Sequence, residues 1–591
     1  MLKRTINCAD ITEKEIGSSV VINGWIQRKR NLGGLLFLDI RDRSGIVQIV
    51  LNPDTVNKAL FKKFQTLKTE SVVGIKGAVK KRETENPNLK TGKIEIKIET
   101  AEIFSEAEDL PFNPFVGQDV DEIVRLKYRY LDLRKPEVRK TFELRAKIVQ
   151  SIRNYLIQKD FIDVETPILT KSTPEGARDF IVPSRLNKGK FYALPQSPQL
   201  FKQILMVGGF EKYFQIARCF RDEDLRQDRQ PEFTQIDIEM SFVDQEDIML
   251  LTESMYKKTF KDVLDADIVT PFPRIKYAEA MLRYGSDKPD TRFAMEIKDL
   301  TNFFKESKFN LIKNSIEKGQ KILALFVPGG ATLSRKEIDT LKEEIKEQGV
   351  AGFLEFKIND EISSSYAKYL NETEKEILLK NGKNNDIALL FIVNKENGFE
   401  MVGKIRLFLA RKFDLIPKEK WNFIWITDFP FFSFNKEENR YETEHHPFTM
   451  PNPEELDKID GDKDNLHALA YDLALNGNEI GGGSIRIHNP ILQKRVFNAI
   501  GLTEQEAEDK FGFLLKALKL GAPPHGGIAF GLDRLVWIMS NAKSLRDVIA
   551  FPKTTAGISP LTDAPNRVKK EQLEELDIQI KKRSKPQNDH F

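Results

Sequence analysis

The stretch from Phe220 to Glu239, FRDEDLRQDRQPEFTQIDIE, sets an arginine, a phenylalanine and an aspartate at spacings suited to holding a nucleotide beside a small charged molecule. Tyr213 to Arg221 and Glu232 to Met240 each alternate as strands do. The pattern predicts a hairpin whose charged connection is long for a simple turn. Successive strand side chains point to opposite faces, so Phe233, Gln235, Asp237 and Glu239 share one face, and Thr234, Ile236 and Ile238 the other. At about 3.3 Å per residue, Phe233 and Asp237 stand roughly 13 Å apart, the span of a nucleotide with a small molecule beside it. An aromatic ring can stack on a base, a carboxylate can bind an ammonium group, and Arg221 at the strand end can grip a phosphate. The plain alternative is a surface hairpin with one solvated face.

Further chemistry is spaced along the chain. In QSPQLFKQIL, Ser197 suits an N-cap and Pro198 the first helical position. Gln199 and Lys202 then face one side beside free N–H groups that favour a carboxylate. The loop TPEGARDF (173–180) is small, charged and glycine-containing, as a mobile lid would be. His445 and His446 in HHPFTMP form a pair, but no third ligand follows at a zinc spacing. In YDLALNGNEIGGGSIRIH (471–488), Asp472 and Glu479 are hard oxygen ligands suited to Mg²⁺ shared with phosphates; two solvated carboxylates are the bland alternative. PPHGGIAFGLDRLVWIM (523–539) reads as strand, glycine turn and helix, with Arg534 in the first turn, where it can face a phosphate.

FRDEDLRxDRQPEFTQID resembles the second signature motif of the class II aminoacyl-tRNA synthetases, and its full wording the bacterial-type aspartyl enzymes within them. The phrase around Arg534 resembles the third motif, and the helix Thr141 to Lys159 followed by DFIDVETPILT the first, which in the family forms a homodimer interface. The resemblance spans almost the whole chain. It implies ATP as substrate, with Arg221 on the α-phosphate, Phe233 on adenine, Glu223 at the adenine amino group, Arg534 on the γ-phosphate, and Asp472 and Glu479 holding Mg²⁺. It places aspartate among Glu175, Gln199, Lys202, Asp237, His445, His446 and Arg486. Asp237 takes the α-ammonium, Glu175 closes near it, and Lys202 and the Arg486 fork take the β-carboxylate through paired hydrogen bonds. Arg221 and Arg534 are the catalytic residues. Strict alternation would put Glu479 and Arg486 on opposite faces, so a bulge at Gly481 to Gly483 is expected.

These residues need elements to position them. Residues 1–105 hold strand-like runs near 20–28, 35–42, 45–51, 70–80 and 93–104, with a helical stretch from Thr55 to Leu67, the order of an OB-fold barrel. Leu36, Leu38 and Ile40 form one face, and Ile94, Ile96 and Ile98 another. Phe37, Gln48 and Glu95 are left pointing away, below a basic run that includes Arg28 and Arg30. A basic groove with a stacking ring suits single-stranded nucleic acid, although Phe37 alone could be a scattered surface residue. By the resemblance, Arg28, Arg30, Phe37, Gln48 and Glu95 bind the anticodon.

The fold class expected is multidomain α+β: an N-terminal OB-fold barrel (1–105), a hinge (106–135), a class II catalytic domain on an antiparallel sheet in two parts (136–284 and 421–560), an inserted α+β domain (285–420), and a C-terminal helix and tail (561–591). Charged helices and short apolar strands such as ILALFV mark the insertion, which shows no catalytic constellation.

The 591 residues leave room for about four domains. No apolar run nears the ~20 residues of a membrane span, and the N-terminus lacks a signal core. Cys8 and Cys219 are too few and too far apart for a disulfide framework or a zinc site. A cytoplasmic protein is expected. A net charge of +3, from 92 basic and 89 acidic residues, neither demands nor excludes nucleic acid. The function expected is ATP-dependent ligation of L-aspartate to tRNA(Asp), with tRNA(Asn) left open as a second acceptor. An ammonia-using asparagine synthetase shares the catalytic architecture but lacks the barrel, and a non-catalytic paralogue would lose Arg221 or Arg534. A lysyl enzyme would need acidic groups where this chain has Lys202 and Arg486.

Overall fold

The computed structural model describes residues 1–117, 119–173, 177–226 and 228–581, and the chain divides into two compact units, Met1–Asp121 and Glu122–Phe591. In the first, strands Ser19–Leu32, Leu35–Arg41, Ile46–Leu51, Val72–Lys81 and Ile94–Ser105 close into a barrel, with the helix Lys58–Thr66 between the third and fourth. Closure follows from the antiparallel ladders plus one parallel pairing, Ile49 opposite Ile96. Leu38, Ile40, Ile49 and Ile96 are fully buried inside, while Phe37 is half-buried on the outer face. Each such buried apolar side chain contributes roughly 1.5–3 kcal/mol, which holds the register against a one-residue slip.

The second unit is built on an eight-stranded sheet in the order Arg274–Lys276, Phe423–Thr427, Ala470–Leu475, Asn478–Ile485, His525–Gly531, Glu232–Ser241, Lys212–Phe220, Ile162–Asp163. Its interior pairings are antiparallel, and the short strand at each edge joins in parallel. One face packs on helices Pro136–Gln158, Gln245–Leu264 and Leu532–Ser540, burying Ile236 and Ile238 with Ile152, Tyr256 and Leu535. The neighbouring residues of the same strand therefore face away from this core, and the site lies there.

The insertion forms a separate five-stranded sheet of Lys298–Asp299, Lys321–Val327, Asp386–Val393, Leu354–Ile358 and Ile362–Ser363. Its central strands are buried on both faces: Leu323, Leu325 and Val327 join one apolar cluster, Ile322, Ala324 and Phe326 the other. This is why ILALFV reads as a continuous apolar run.

Several boundaries differ from the sequence reading. The long helix begins at Pro136, not Thr141, because proline occupies the first turn, where its missing N–H costs nothing. Within DFIDVETPILT only Ile162–Asp163 is a strand, at the edge of the sheet, and Pro167 beyond it has no N–H to extend the ladder. The strand Phe423–Thr427 ends where Asp428 turns the chain with φ 54°. The hinge read over 106–135 is split between the units. Its second half forms helices Glu122–Lys127 and Arg129–Asp132, whose Arg129 is buried rather than solvated. The C-terminal helix spans only Lys570–Glu575. Among the described residues no helix is long and apolar enough to cross a membrane.

Candidate active site

The polar face of the central sheet lines a cavity of about 410 Å³. Gln199, Lys202, Arg221, Glu223, Phe233, Asp237, His445, His446, Asp472, Glu479, Arg486 and Arg534 all border it. Glu175 lies outside the described residues.

One end is closed and densely charged. The helix Gln199–Val207 starts one residue later than expected, with Pro198 as N-cap, and the Ser197 hydroxyl accepts from the Gln199 N–H at 3.2 Å. This sets Lys202 in the interior, where its Nζ donates to Asp237 Oδ1 at 2.5 Å and lies 3.3 Å from Glu239 Oε2. Arg486 donates from Nε and Nη2 to the two oxygens of Glu239 at 2.9 and 3.1 Å. Its Nη1 lies 2.6 Å from both Ser484 Oγ and His446 Nε2. Arginine is only a donor, so His446 accepts on Nε2 and carries its proton on Nδ1. The expectation of an Arg486 fork free for a substrate carboxylate is thereby corrected: Glu239 occupies its paired edge.

Charge follows geometry. Burial raises the Asp237 carboxyl, and Lys202 offsets this only in part. Burial would also raise Glu239, but Arg486 and Lys202 together hold it below the usual glutamate range. Burial first, and Arg486 second, depress His445 to about 4 and His446 further, so both rings are neutral at pH 7. Among the described residues, Asp237 Oδ2, Gln199 Nε2 and His445 Nε2 are buried without a hydrogen-bond partner. They offer an acceptor and donors to an incoming molecule.

Glu239 lies on the polar face the alternation defines, yet the sequence did not single it out as a site residue. The signal was a carboxylate inside a strand that must bury, which demands a cation nearby. Gly527 explains the fit, since a Cβ there would stand 2.0 Å from Glu239 Oε2. His525, also missed, is buried behind Glu239, donating from Nδ1 to the Pro523 carbonyl at 2.8 Å and facing the Gln203 amide at 3.2 Å.

The other end is open. Arg221 caps the hairpin, its N–H donating to the Pro231 carbonyl at 2.9 Å, and its guanidinium lies 5.1 Å from the Phe233 ring centre. Glu223 pairs with Arg229 at 2.7 Å. Arg534, at the border of the cavity, donates to the Glu479 carbonyl at 2.5 Å, and its Nη2 lies 3.7 Å from Asp228. The bulge that brings Glu479 and Arg486 onto one face sits at Ile480, not Gly481 to Gly483. Leu473 pairs with Gly481 and Ala474 with Glu479, leaving Ile480 unpaired. Ile480 can take the extra position because its side chain is buried in the core below. Asp472 is pushed well above the usual aspartate range by burial and by Glu479 beside it. Two adjacent hard carboxylates are a donor set that a divalent cation fits.

In the barrel, Phe37 stands opposite Arg30 in the ladder. Arg30 and Arg82 donate to Gln48 Oε1 at 3.1 and 2.8 Å, and Gln48 donates to Glu95 at 2.8 Å. Arg28 is exposed at the same strand. Arg82, at the end of the KKR run, was missed.

Residues 121–555 match the family described as tRNA synthetases class II (D, K and N). The chain belongs to the class II tRNA synthetases. Residues 20–104 match the OB-fold nucleic acid binding domain described as tRNA anti-codon. Among curated relatives of this synthetase, the Aspartate--tRNA(Asp/Asn) ligase of Caldanaerobacter subterraneus subsp. tengcongensis is 50% identical, covering 98% of each chain. The Aspartate--tRNA ligase of Staphylococcus saprophyticus subsp. saprophyticus is also 50% identical, covering 98% of this chain and 100% of its own. The fold matches the asparaginyl-tRNA synthetase of Pyrococcus horikoshii solved with asparaginyl-adenylate, at TM-score 0.59 and 20% identity over 94% of this chain and 99% of that one. A putative aspartyl-tRNA synthetase from Leishmania major Friedlin gives the same TM-score and identity, over 93% and 94%.

Proposed function

We propose that this synthetase ligates L-aspartate to tRNA in two steps. The reading rests above all on the buried set Lys202, Asp237, Glu239 and Arg486, in which a neutral zwitterion with one extra carboxylate fits the charges on offer. Asp237 Oδ2, which has no hydrogen-bond partner among the described residues, accepts the α-ammonium. Lys202 and the one remaining Nη2 hydrogen of Arg486 meet the β-carboxylate, with Glu239 holding both cations in place. His446, spending its acceptor on Arg486, steers the guanidinium. Gln199, Glu175 and His445 complete the aspartate site.

In the first step an oxygen of the aspartate α-carboxylate attacks the ATP α-phosphorus, and the bond to pyrophosphate breaks. In the second, a ribose hydroxyl of the terminal tRNA adenosine attacks the acyl carbon and AMP leaves. The carboxylate is already an anion at pH 7, so no side-chain nucleophile is needed. Arg221 on the α-phosphate and Arg534 on the γ-phosphate stabilise developing charge, while Phe233 and Glu223 orient adenine. Asp472 and Glu479 would hold Mg²⁺, which neutralises phosphate charge when bound.

Phe37, beside Arg28, Arg30, Gln48 and Glu95, offers a stacking ring with polar groups for a splayed anticodon base. The exposed Ile157, Ile162, Ile168 and Leu169 favour a homodimer through that surface. A cytoplasmic setting suits such an enzyme.

Pyrophosphate exchange into ATP with L-aspartate and Mg²⁺, without tRNA, tests the reading; asparagine and lysine in its place should give little exchange. A strict tRNA requirement would count against it. A second reading, charging of both tRNA(Asp) and tRNA(Asn), is favoured by relatives whose names carry both acceptors. Charging assays with the two purified tRNAs decide it.

A further inference from the structure

The nucleotide end of the cavity has a wall that comes from neither the hairpin nor the sheet. It is the chain from Leu545 to Lys553, a short 3-10 turn (Leu545–Val548) followed by a bend over 549–551. Leu545 borders the cavity directly. At the far end Lys553 exchanges two hydrogen bonds with Gln230, which also borders the cavity: the Lys553 N–H donates to Gln230 Oε1 at 2.8 Å and Gln230 Nε2 to the Lys553 carbonyl at 3.0 Å. Between these points the strap has no sheet partner. Its backbone is instead held from outside by the helices that open the second unit.

Arg129 does most of this. Buried to 1% exposure, it donates from Nε to the Ala550 carbonyl and from Nη2 to the Ile549 carbonyl at 3.0 Å each, with the Arg546 carbonyl at 3.4 Å. Its Nη1 lies 2.5 Å from Asp132, also fully buried. Arg546 in turn donates through a paired edge to Glu122 at 2.7 and 3.0 Å. A planar fork reaching several carbonyls of one strap is a task lysine cannot reproduce.

We propose that Arg129 is a positioning residue for ATP, which sets the strap from Leu545 to Lys553 and through it Leu545 and Gln230 in the nucleotide wall. This rests on the assignment of that end of the cavity to ATP. Arg129 touches no substrate; its effect passes through main-chain atoms, and the aspartate end, built on other elements, is untouched by it.

The test is Arg129→Lys, with Glu122→Gln as a milder variant at a partly exposed pair. Pyrophosphate exchange should show KM for ATP raised roughly 5- to 30-fold in Arg129→Lys and about 3-fold in Glu122→Gln, the size of one link in a hydrogen-bonded network. KM for aspartate should stay within about 2-fold in both. Amide exchange at residues 549–553 should quicken in Arg129→Lys without change in the central strands. The proposal is overturned if Arg129→Lys keeps the wild-type KM for ATP, or if the two KM values rise together. Should Arg129→Lys not fold, an unmoved KM for ATP in Glu122→Gln overturns it. Calorimetric titration with MgATP alone reads the same effect without aspartate. Failure of the wild type to activate aspartate would thus sink the proposed function while leaving the positioning role testable.

Discussion

The two ends of the one cavity solve opposite problems. At the closed end the side chains of Lys202, Asp237, Glu239 and Arg486 are at most 2% exposed and are paired with one another before any ligand arrives. At the open end the Arg534 and Glu223 side chains are each 27% exposed and Asp228 is 52% exposed, with contacts that are few and partly to main chain. A buried charge is costly unless paired, so the closed end holds a fixed constellation whose cost is met in folding. That rigidity suits discrimination between a carboxylate and an amide. The open end, bathed in water, can admit a triphosphate and release pyrophosphate. On the proposed reading, selectivity and turnover thereby belong to different physical regimes.

The largest expected effect breaks the closed end. Arg486→Leu should lower kcat/KM for aspartate by roughly 30- to 5,000-fold in pyrophosphate exchange, with far less loss for asparagine. It should also cost about 3–5 kcal/mol of stability in urea titration, because Glu239 loses the guanidinium bonded to both its oxygens and keeps only the more distant Lys202. Equal proportional losses for the two amino acids would mean that Arg486 supports the site as a whole, and Lys202 becomes the carboxylate reader to test. At the open end, Arg534→Ala should lower kcat by about 10²- to 10³-fold. Its stability should stay within about 0.5 kcal/mol of wild type, since that side chain has no buried charge to strand. A large stability loss there would erase the contrast.

A third variant extends the comparison to the barrel. Phe37→Ala should weaken tRNA charging by roughly 1–3 kcal/mol while pyrophosphate exchange is retained. If both activities fell together, a melting curve would reveal a barrel that had unfolded. The smallest effect concerns protons. His445, depressed from an ordinary 6.5 to about 4, binds no proton in the folded state where the unfolded chain does. Stability should therefore be fully present above pH 6.5 and fall as pH drops from 6.5 towards 4, by about 3 kcal/mol. His445→Asn should flatten that part of the stability–pH curve. An unchanged slope would mean the ring titrates normally.

Much of this was legible before any coordinates. Alternation put Phe233, Gln235, Asp237 and Glu239 on one face, and the glycine turn before Leu532 put Arg534 in a first helical turn. Edges were less legible. Of the DFIDVETPILT segment only Ile162–Asp163 joins the sheet, at its edge, and the bulge that the glycines suggest is carried instead by a buried isoleucine. Glycines accept the odd conformation, but here the extra residue went where the core could absorb a side chain. The run Arg125 to Arg134 read as a basic linker because charge alone does not say that Asp132 and the carbonyls of 549 and 550 await Arg129.

By itself, then, the sequence determined which residue types exist for the chemistry and on which side of their own strand or helix they stand. Those are properties of periods 2 and 3.6, local to a few residues. Only the tertiary structure decided which charges neutralise which. Arg486 meets Glu239 across a separation of 247 residues, and Gly527 leaves room for that carboxylate. Both depend on the order of strands in one sheet. Interaction between charges at 3 Å is strong inside a protein and negligible at a distance in the unfolded chain. The partners of a buried ion are therefore set by what folding brings next to it, which no local pattern encodes.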